Sequence, residues 1–259
     1  MLRSLDEIRG YKIHATDGEI GRVDDFYFDD ISWTIRYLVV DTGPWLFGRT
    51  VLISPAVLGQ PDWVGRVLPV SLSKEQVENS PDIDLEQPVS RQKQEALHEH
   101  YGWDFYWLSL QTGASSGVPG APSAPLPVAP AAAPGEEAAE AQEDASIEHP
   151  HLRSADEVIN YRIQALDGEI GHVDDFVADD IAWIIRYMVV DTGKWLSGQR
   201  VLLAPQWVTE VEWAGARVHV GMDKESIENS PEYDPSRPIN REYEVQLYDY
   251  YGRPVYWDE

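Results

Sequence analysis

The chain has 259 residues, 43% of them hydrophobic, and a formal net charge of −25 at pH 7. This acidity repels phosphate backbones and anionic lipid heads, so we expect neither a nucleic-acid partner nor direct insertion into a membrane. The sequence contains no cysteine, which excludes disulfides, thiolate nucleophiles and cysteine-ligated metal centres.

The N-terminal segment MLRSLDEIRG carries neither a secretory apolar core nor an arginine-rich transit helix. No apolar run approaches the length of a membrane span, and we therefore expect a cytoplasmic protein. Ser4 lies three residues before Glu7, a capping-box spacing that predicts one helical turn ahead of the first strand.

A β-hairpin is predicted next in the chain. Residues Tyr11–Ala15 alternate apolar and polar side chains, Asp17 and Gly18 supply turn chemistry, and Glu19–Phe28 continues as a second strand. Gly21 interrupts this second strand and predicts a bulge or a close packing point.

The strongest strand prediction is Trp33–Asp41, where consecutive apolar residues indicate burial on both faces. A further strand at Arg49–Ser54 is expected to end at Pro55, and shorter β segments are expected near Trp63 and at Val67–Leu72. Five or six short antiparallel strands within about 70 residues are typical of a small β-barrel.

Two helical segments are expected after the barrel strands. The segment SKEQVENSP predicts one helical turn that begins after the cap residue Ser73 and stops before Pro81. In a second copy of this segment, described below, the predicted cap is Asp223. A longer helix is predicted at Arg91–Tyr101, and at Arg241–Tyr251 in the second copy. Ser90 or Asn240 is expected to cap this helix, and a Tyr-Gly pair ends it.

The chain contains a duplication. Residues 2–109 align without a gap to residues 152–259, and 52 of the 108 aligned pairs are identical. Because the identities are spread along the whole unit, each copy is expected to be a complete fold. The segment between the copies is rich in Pro, Ala, Gly, Ser and Glu, a composition typical of a disordered linker. The predicted domains are a barrel at 1–80, a helical extension at 81–109, the linker at 110–150, a second barrel at 151–230 and a second extension at 231–259.

An acidic stretch recurs in both copies, as DGEIGRVDDFYFDD at 17–30 and DGEIGHVDDFVADD at 167–180, with six carboxylates each. Such a cluster could hold a cation, but Asp24 and Asp25 point to opposite faces of an extended strand unless a bulge intervenes. Aspartates at hairpin corners accept hydrogen bonds from nearby backbone amides. We therefore interpret the stretch as turn chemistry and assign no metal ligand and no cofactor.

No histidine occupies the same position in both copies, since His98 and His100 align with Tyr248 and Tyr250. This excludes a histidine mechanism common to both units, and the sequence has neither a Gly-rich phosphate loop nor a nucleophile elbow. We therefore predict no catalytic residues and no enzymatic activity.

The tryptophans are too numerous for the core of a barrel of about 100 residues to bury them all. Their number therefore favours a protein-interaction surface. Packing beneath the helix or against a loop is the alternative explanation for some of them. The candidate surface residues are Trp33, Trp45, Trp63, Trp183, Trp195 and Trp213. Arg36 and Arg186 lie mid-strand among apolar neighbours, and we expect each to pair with a carboxylate such as Asp24 or Asp174.

The order LRSLDEIRGYKIHATDGEIGRVDDFYFDD, RYLVVDTG and VLISP resembles the PRC-barrel family. Similar domains occur in the cytoplasmic part of the bacterial photosynthetic reaction-centre H subunit and in a ribosome maturation factor. The resemblance implies a mostly β fold of two small antiparallel PRC-type barrels, each with a short C-terminal helical extension. It also implies a protein-docking surface that commonly self-associates and is not an enzyme.

These observations predict an adaptor whose two barrels pair within the chain as a pseudo-dimer and bind another protein. Tethering favours such pairing, because a linker raises the local concentration of each unit to roughly millimolar order. Two alternatives remain: a peripheral subunit of a photosynthetic-type membrane complex with a role in electron or proton transfer, and an acidic cation-binding protein.

Overall fold

The computed structural model of the chain describes residues 1–81, 91–106, 152–193 and 199–258. The predicted linker at 110–150 and the predicted cap Ser90 lie outside the described residues. Within them the fold is mostly β and contains two sheets of six and seven strands, one built largely from each repeat, in agreement with the predicted fold class.

The strands are β1 (Leu2–Ser4), β2 (Lys12–Ala15), β3 (Gly18–Asp29), β4 (Ile35–Asp41), β5 (Thr50–Ile53) and β6 (Val67–Pro69) in the first repeat, and β7 (Leu152–Ser154), β8 (Arg162–Ala165), β9 (Gly168–Asp179), β10 (Ile185–Asp191), β11 (Arg200–Leu203), β12 (Val208–Glu212) and β13 (Arg217–Val220) in the second. The α-helices are α1 (Leu5–Ile8), α2 (Lys74–Glu78), α3 (Arg91–Tyr101), α4 (Ala155–Val158), α5 (Lys224–Glu228) and α6 (Arg241–Tyr251).

The strand order is β5-β4-β3-β2-β6 in the first sheet and β11-β10-β9-β8-β13-β12 in the second. Consecutive strands are antiparallel as predicted, but β2 pairs with β6, and β8 with β13, in parallel. A parallel pair needs a connection longer than a hairpin, and the chain between β2 and β6, which contains β3–β5, supplies it. In β4, the adjacent residues Leu38, Val39 and Val40 are all buried, so this strand is covered on both faces as predicted.

A β-bulge interrupts each long central strand. The register of β3 against β4 shifts between Val23 and Asp25, which leaves Asp24 as the extra residue. The register of β9 against β10 shifts at the equivalent place, where Asp174 is the extra residue. An extra residue bends a strand and changes the direction of its side chains.

The chain approaches itself closely at Gly21, as the sequence predicted. A Cβ atom at Gly21 would lie 2.2 Å from the carbonyl oxygen of Asp41, and one at Gly171 would lie 2.0 Å from the carbonyl oxygen of Asp191. No side chain fits at these distances, so glycine is required at both positions for β3 and β9 to pass their neighbours.

The N-terminal strand of each repeat pairs with the sheet of the other repeat. Strand β1 lies antiparallel to the end of β9, with Leu2 opposite Asp179. Strand β7 lies antiparallel to the end of β3 in the equivalent register, with Leu152 opposite Asp29. Strands β3 and β9 have twelve residues each. One edge of β3 is covered at its start by β2 and at its end by the exchanged strand β7. The same edge of β9 is covered at its start by β8 and at its end by the exchanged strand β1.

Direct backbone hydrogen bonds also join the repeats. The N–H of Ile35 donates to the carbonyl oxygen of Trp183 at 2.7 Å, and the N–H of Ile185 donates to that of Trp33 at 2.8 Å. A single cluster of buried hydrophobic side chains extends across both repeats. The two repeats therefore share one core.

The helix caps agree with the sequence predictions. The Ser73 side chain caps α2 in a capping box, and the Asp223 side chain caps α5. Helix α6 begins after Asn240, whose side chain accepts a backbone N–H, and ends at Gly252 in the left-handed conformation. No helix in the described part of the chain is long and apolar enough to cross a membrane.

Candidate functional site

Backbone amides engage the corner carboxylates of the acidic stretch. Asp29 is buried, and its Oδ1 accepts hydrogen bonds from the N–H groups of Ile31 and Ser32 at 3.0 and 2.9 Å, the turn role that the sequence predicts. Asp17 instead accepts the N–H of Lys74 at 2.8 Å and so satisfies the first amide of α2. The second repeat makes the same contacts.

Asp25 anchors the exchanged strand β7. Its Oδ2 accepts the hydroxyl of Ser154 at 2.5 Å, and its Oδ1 accepts the N–H of Asp156 at 3.1 Å. Burial raises the pKa of the Asp25 carboxyl, because a carboxylate loses hydration there. The sequence contains no signal for this contact, since both partners lie in the other repeat.

Asp175 anchors β1 in the reciprocal position. It accepts the hydroxyl of Ser4 and, at 3.1 Å, the N–H of Asp6. Burial raises the pKa of Asp175 to about 6. The Oγ of Ser4 also accepts the N–H of Glu7 at 3.1 Å, so this predicted helix cap is at the same time an inter-repeat donor.

A group of possible metal ligands lies beside the bulge of β9. The ligand atoms of His172, Asp174 and Asp191 lie within 4.8 Å of one another. The Nε of Arg200 is 2.9 Å from Oδ2 of Asp174, so a fixed cation already compensates this carboxylate. Arg22 occupies the position of His172 in the first repeat. The group is therefore not common to the two repeats.

Arg36 pairs with a carboxylate, as predicted, but its partner is Asp29 and not Asp24, the example that the sequence suggested. Its Nη2 lies 3.1 Å from Oδ2 of Asp29. The register of the sheet explains the difference, because Ile35 lies opposite Phe28 and Arg36 therefore sits at the end of β3 that carries Asp29, away from the bulge.

Arg186, the equivalent of Arg36, has different surroundings. Among the described residues none forms an ion pair with it, and the predicted partner Asp174 is bound to Arg200. The guanidinium carbon of Arg186 lies 4.2 Å from the ring centroid of Tyr256, and its buried Nε has no hydrogen-bond partner. Arg186 therefore forms no ion pair with the described part of the chain.

Buried polar pairs connect α3 and α6 to the sheets. The hydroxyl of Tyr37 lies 2.7 Å from Nε2 of His98, and the hydroxyl of Tyr187 donates to Oε1 of Glu244 at 2.8 Å. Burial lowers the pKa of His98 and raises that of Tyr187. Because all four side chains are buried, they hold the helices on the sheets. The sequence did not identify these pairs, since the partner of each tyrosine differs between repeats.

The predicted surface tryptophans occupy different environments. Trp183 is only 6% exposed and lies in the shared core, so it is not a surface residue. The guanidinium of Arg3 lies 3.6 Å from the ring centroid of Trp63, and the ammonium of Lys74 lies 4.5 Å from that of Trp45. Trp195 lies outside the described residues.

Trp33 and Trp213 come together at a groove between the repeats, which we call the seam groove. Its volume is about 750 Å³, within the usual range of ligand pockets. One wall consists of the turn at 30–33 and Arg153 of the exchanged strand β7, and the other consists of β12, the start of β10 and the C-terminal aromatic residues. The sequence identified both tryptophans but not their proximity, which depends on how the repeats pack.

Comparison with known families gives one match. Residues 2–74 match the family model described as PRC-barrel domain. The matched residues contain all six strands of the first repeat, and the second repeat has the corresponding strands in the corresponding order. A search of curated proteins found no match to the chain.

Proposed function

Since residues 2–74 form a PRC-barrel domain and the second repeat repeats its sheet order, we propose that the protein is a non-enzymatic docking module. Its two repeats act as one intramolecular pseudo-dimer that binds another protein. A fold hosts many functions, so the argument for docking depends on the surface that the two repeats build together.

The reciprocal exchange of β1 and β7 is the observation that carries this proposal. Each exchanged strand completes the sheet of the other repeat, and Asp25 and Asp175 anchor the two strands. The seam groove has one wall from each side of the exchange. A surface of this kind exists only while the repeats are paired, which makes the paired chain the binding unit.

A crosslinking pull-down from lysate of cells that produce the protein tests the proposal. The bait is the full chain, and the matched control is the double variant Asp25→Ala, Asp175→Ala, which loosens the exchange. We expect a protein that is enriched by the bait, read by mass spectrometry, and recovered at a clearly lower yield with the control. If no protein is enriched above an unrelated acidic bait, or if both baits capture it equally, the paired docking unit is wrong.

A further inference from the structure

We propose that the seam groove binds an extended peptide segment that adds as a strand to β12 and places a single carboxylate on Arg186. This inference rests on the proposed docking function and specifies the chemistry of the partner. Two independent features carry it: an open strand edge and an uncompensated cation.

The open edge belongs to β12. This strand is at the end of its sheet, and within the described residues it pairs only with β13. Four consecutive residues, Val208–Val211, line the groove. Because successive side chains of a strand point to opposite faces, a lining of consecutive residues means that the groove follows the strand edge. Such an edge offers unpaired N–H and C=O groups to an added strand, a common mode of peptide recognition.

The cation is Arg186, which lines the same groove. Its guanidinium carbon lies 4.2 Å from the ring centroid of Tyr256, and within the described chain it forms no ion pair. A planar guanidinium binds a carboxylate through two parallel hydrogen bonds, so a fixed and unpaired arginine favours that group.

The other charges of the groove limit the ligand to one carboxylate. The Nε atom of Arg153 lies 3.6 Å from Oδ2 of Asp30, so this arginine already has an acidic partner. Its guanidinium carbon lies 4.0 Å from the ring centroid of Trp213. Glu210 is exposed and adds a negative charge to the rim. A strongly acidic peptide would be repelled by the net charge of the protein, whereas one carboxylate among apolar residues fits both Arg186 and the aromatic walls.

The first repeat provides an internal comparison, because it lacks both features. Arg36 is compensated by Asp29 at 3.1 Å. The segment equivalent to β12 contains Pro61 and forms only isolated bridges, at Leu58 and Asp62. Proline removes a backbone donor and is poorly suited to a strand edge that must pair. The equivalent surface of the first repeat is therefore expected not to bind the peptide.

Selection from peptide libraries with the full chain tests the proposal. Two phage-displayed libraries of random ten-residue peptides are used, one with a free C-terminus and one with the peptide internal to the coat protein, so that a terminal carboxylate is distinguished from an Asp or Glu side chain. Synthetic versions of the selected peptides are then titrated by fluorescence anisotropy. We expect selected peptides to carry one carboxylate beside apolar residues, and hydrogen exchange to show protection of β12 amides on binding.

The variants Arg186→Gln and Arg22→Gln are compared, because Arg22 is exposed, donates to the carbonyl oxygen of Gly10 and does not line the groove. We expect Arg186→Gln to weaken peptide binding about tenfold or more, since a charged hydrogen bond is lost, and Arg22→Gln to leave binding unchanged. Arg186→Lys keeps the charge and should lie between the wild type and Arg186→Gln. Thermal unfolding of each variant verifies that it is folded.

In the peptide experiments, the proposal is overturned by no enriched peptide, by enriched peptides without a carboxylate, or by equal affinity of the peptides for Arg186→Gln and the wild type. The docking function is tested separately in the lysate experiment. If Arg186→Gln retains the lysate partner in full, the docking function stands and the peptide site is wrong. If the selected peptides bind as expected but the lysate yields no partner, the peptide site stands and the docking function is wrong.

Discussion

Two strand aspartates of the acidic stretch hold the exchanged strands in place. Asp25 and Asp175 each accept a serine hydroxyl and a backbone N–H from the opposite repeat. Burial raises the pKa of both carboxyls, which means that folding disfavours their charged forms. The attachment of the exchanged strands is therefore coupled to pH.

We expect the Asp175→Asn variant to show a weaker dependence of stability on pH. The folded-state pKa is about 6 against an ordinary value of 3.8, so the native protein binds more protons than the unfolded chain between these values. The free energy of unfolding that Asp175 contributes is present below about pH 4, and up to about 3 kcal/mol of it is lost as the pH rises through about 6. Urea titrations between pH 4 and pH 7 measure this difference.

The control for this experiment is Asp24→Asn, at the bulge of β3 in the first repeat, because that side chain is exposed. Its pH profile should follow the wild type. A profile of Asp175→Asn that is parallel to the wild type over the whole range would contradict the role assigned to this carboxyl.

Replacing Gly21 with alanine should lower the free energy of unfolding by about 3 kcal/mol or more. The new Cβ would lie 2.2 Å from the carbonyl oxygen of Asp41, so the two backbone segments must separate. Gly59→Ala is the control, since its nearest neighbour is Cγ of Pro69 at 3.4 Å, and a change of less than about 1 kcal/mol is expected. Chemical denaturation compares the two, and similar losses would show that Gly21 is not a point of closest approach.

Local roles of residues could be predicted from the sequence, whereas distant ones could not. The caps Ser73, Asp223 and Asn240 lie next to the amides that they satisfy, so spacing alone identifies them. Asp25 meets Ser154 across 129 positions of sequence, and no local pattern predicts such a contact. The ion pair of Arg36 was placed on the wrong aspartate because the register of the sheet was unknown.

At the level of elements, the exchanged strands are the least predictable part of the fold. Each is three residues long and carries the same sequence in both repeats. A pattern of this length identifies neither a strand nor the sheet that it joins, because pairing within a repeat and pairing across repeats use identical residues. The central strands and α6 were predictable, since their apolar runs and end signals are long or specific.

Deleting residues 1–4 should expose amides in the second repeat and not in the first. The N–H of Asp180 donates to the carbonyl oxygen of Met1 at 2.9 Å, and β1 covers Val177–Asp179. Loss of β1 leaves this edge open, so hydrogen exchange of the Asp180 amide, followed by NMR, should accelerate at least about tenfold. The matched segment Tyr27–Asp29 remains covered by β7 and should keep its protection. Loss of protection at Tyr27–Asp29 instead would mean that the strands are not exchanged.

At the scale of the whole molecule, the two repeats form a single structural unit in which each sheet contains a strand from the other repeat. The shared core and the reciprocal backbone bonds at Ile35 and Ile185 cross the seam. This packing also forms the seam groove, which neither repeat contains alone. Trp33 and Trp213 both line this groove, but their grouping was not predictable from the sequence.

Cleavage of the chain within residues 110–150 should leave the two halves associated. A protease site inserted there separates the halves covalently, but the exchanged strands and the common core still join them. We expect one peak in size-exclusion chromatography with light scattering at micromolar concentration. The cleaved double variant Asp25→Ala, Asp175→Ala is the control and should dissociate at higher concentrations than the cleaved wild type. Two separate peaks from the cleaved wild type would rule out a stable pairing.

The position of β7 also sets an order of events during synthesis. The ribosome translates all of β3 before it reaches Leu152–Ser154, so the first sheet lacks a strand until the second copy begins to emerge. During that interval the unpaired edge of β3 can accept residues Leu152–Ser154 of a neighbouring nascent chain, which would produce a domain-swapped assembly. The spacing of ribosomes along the messenger therefore influences how many chains close on themselves and how many become interlinked.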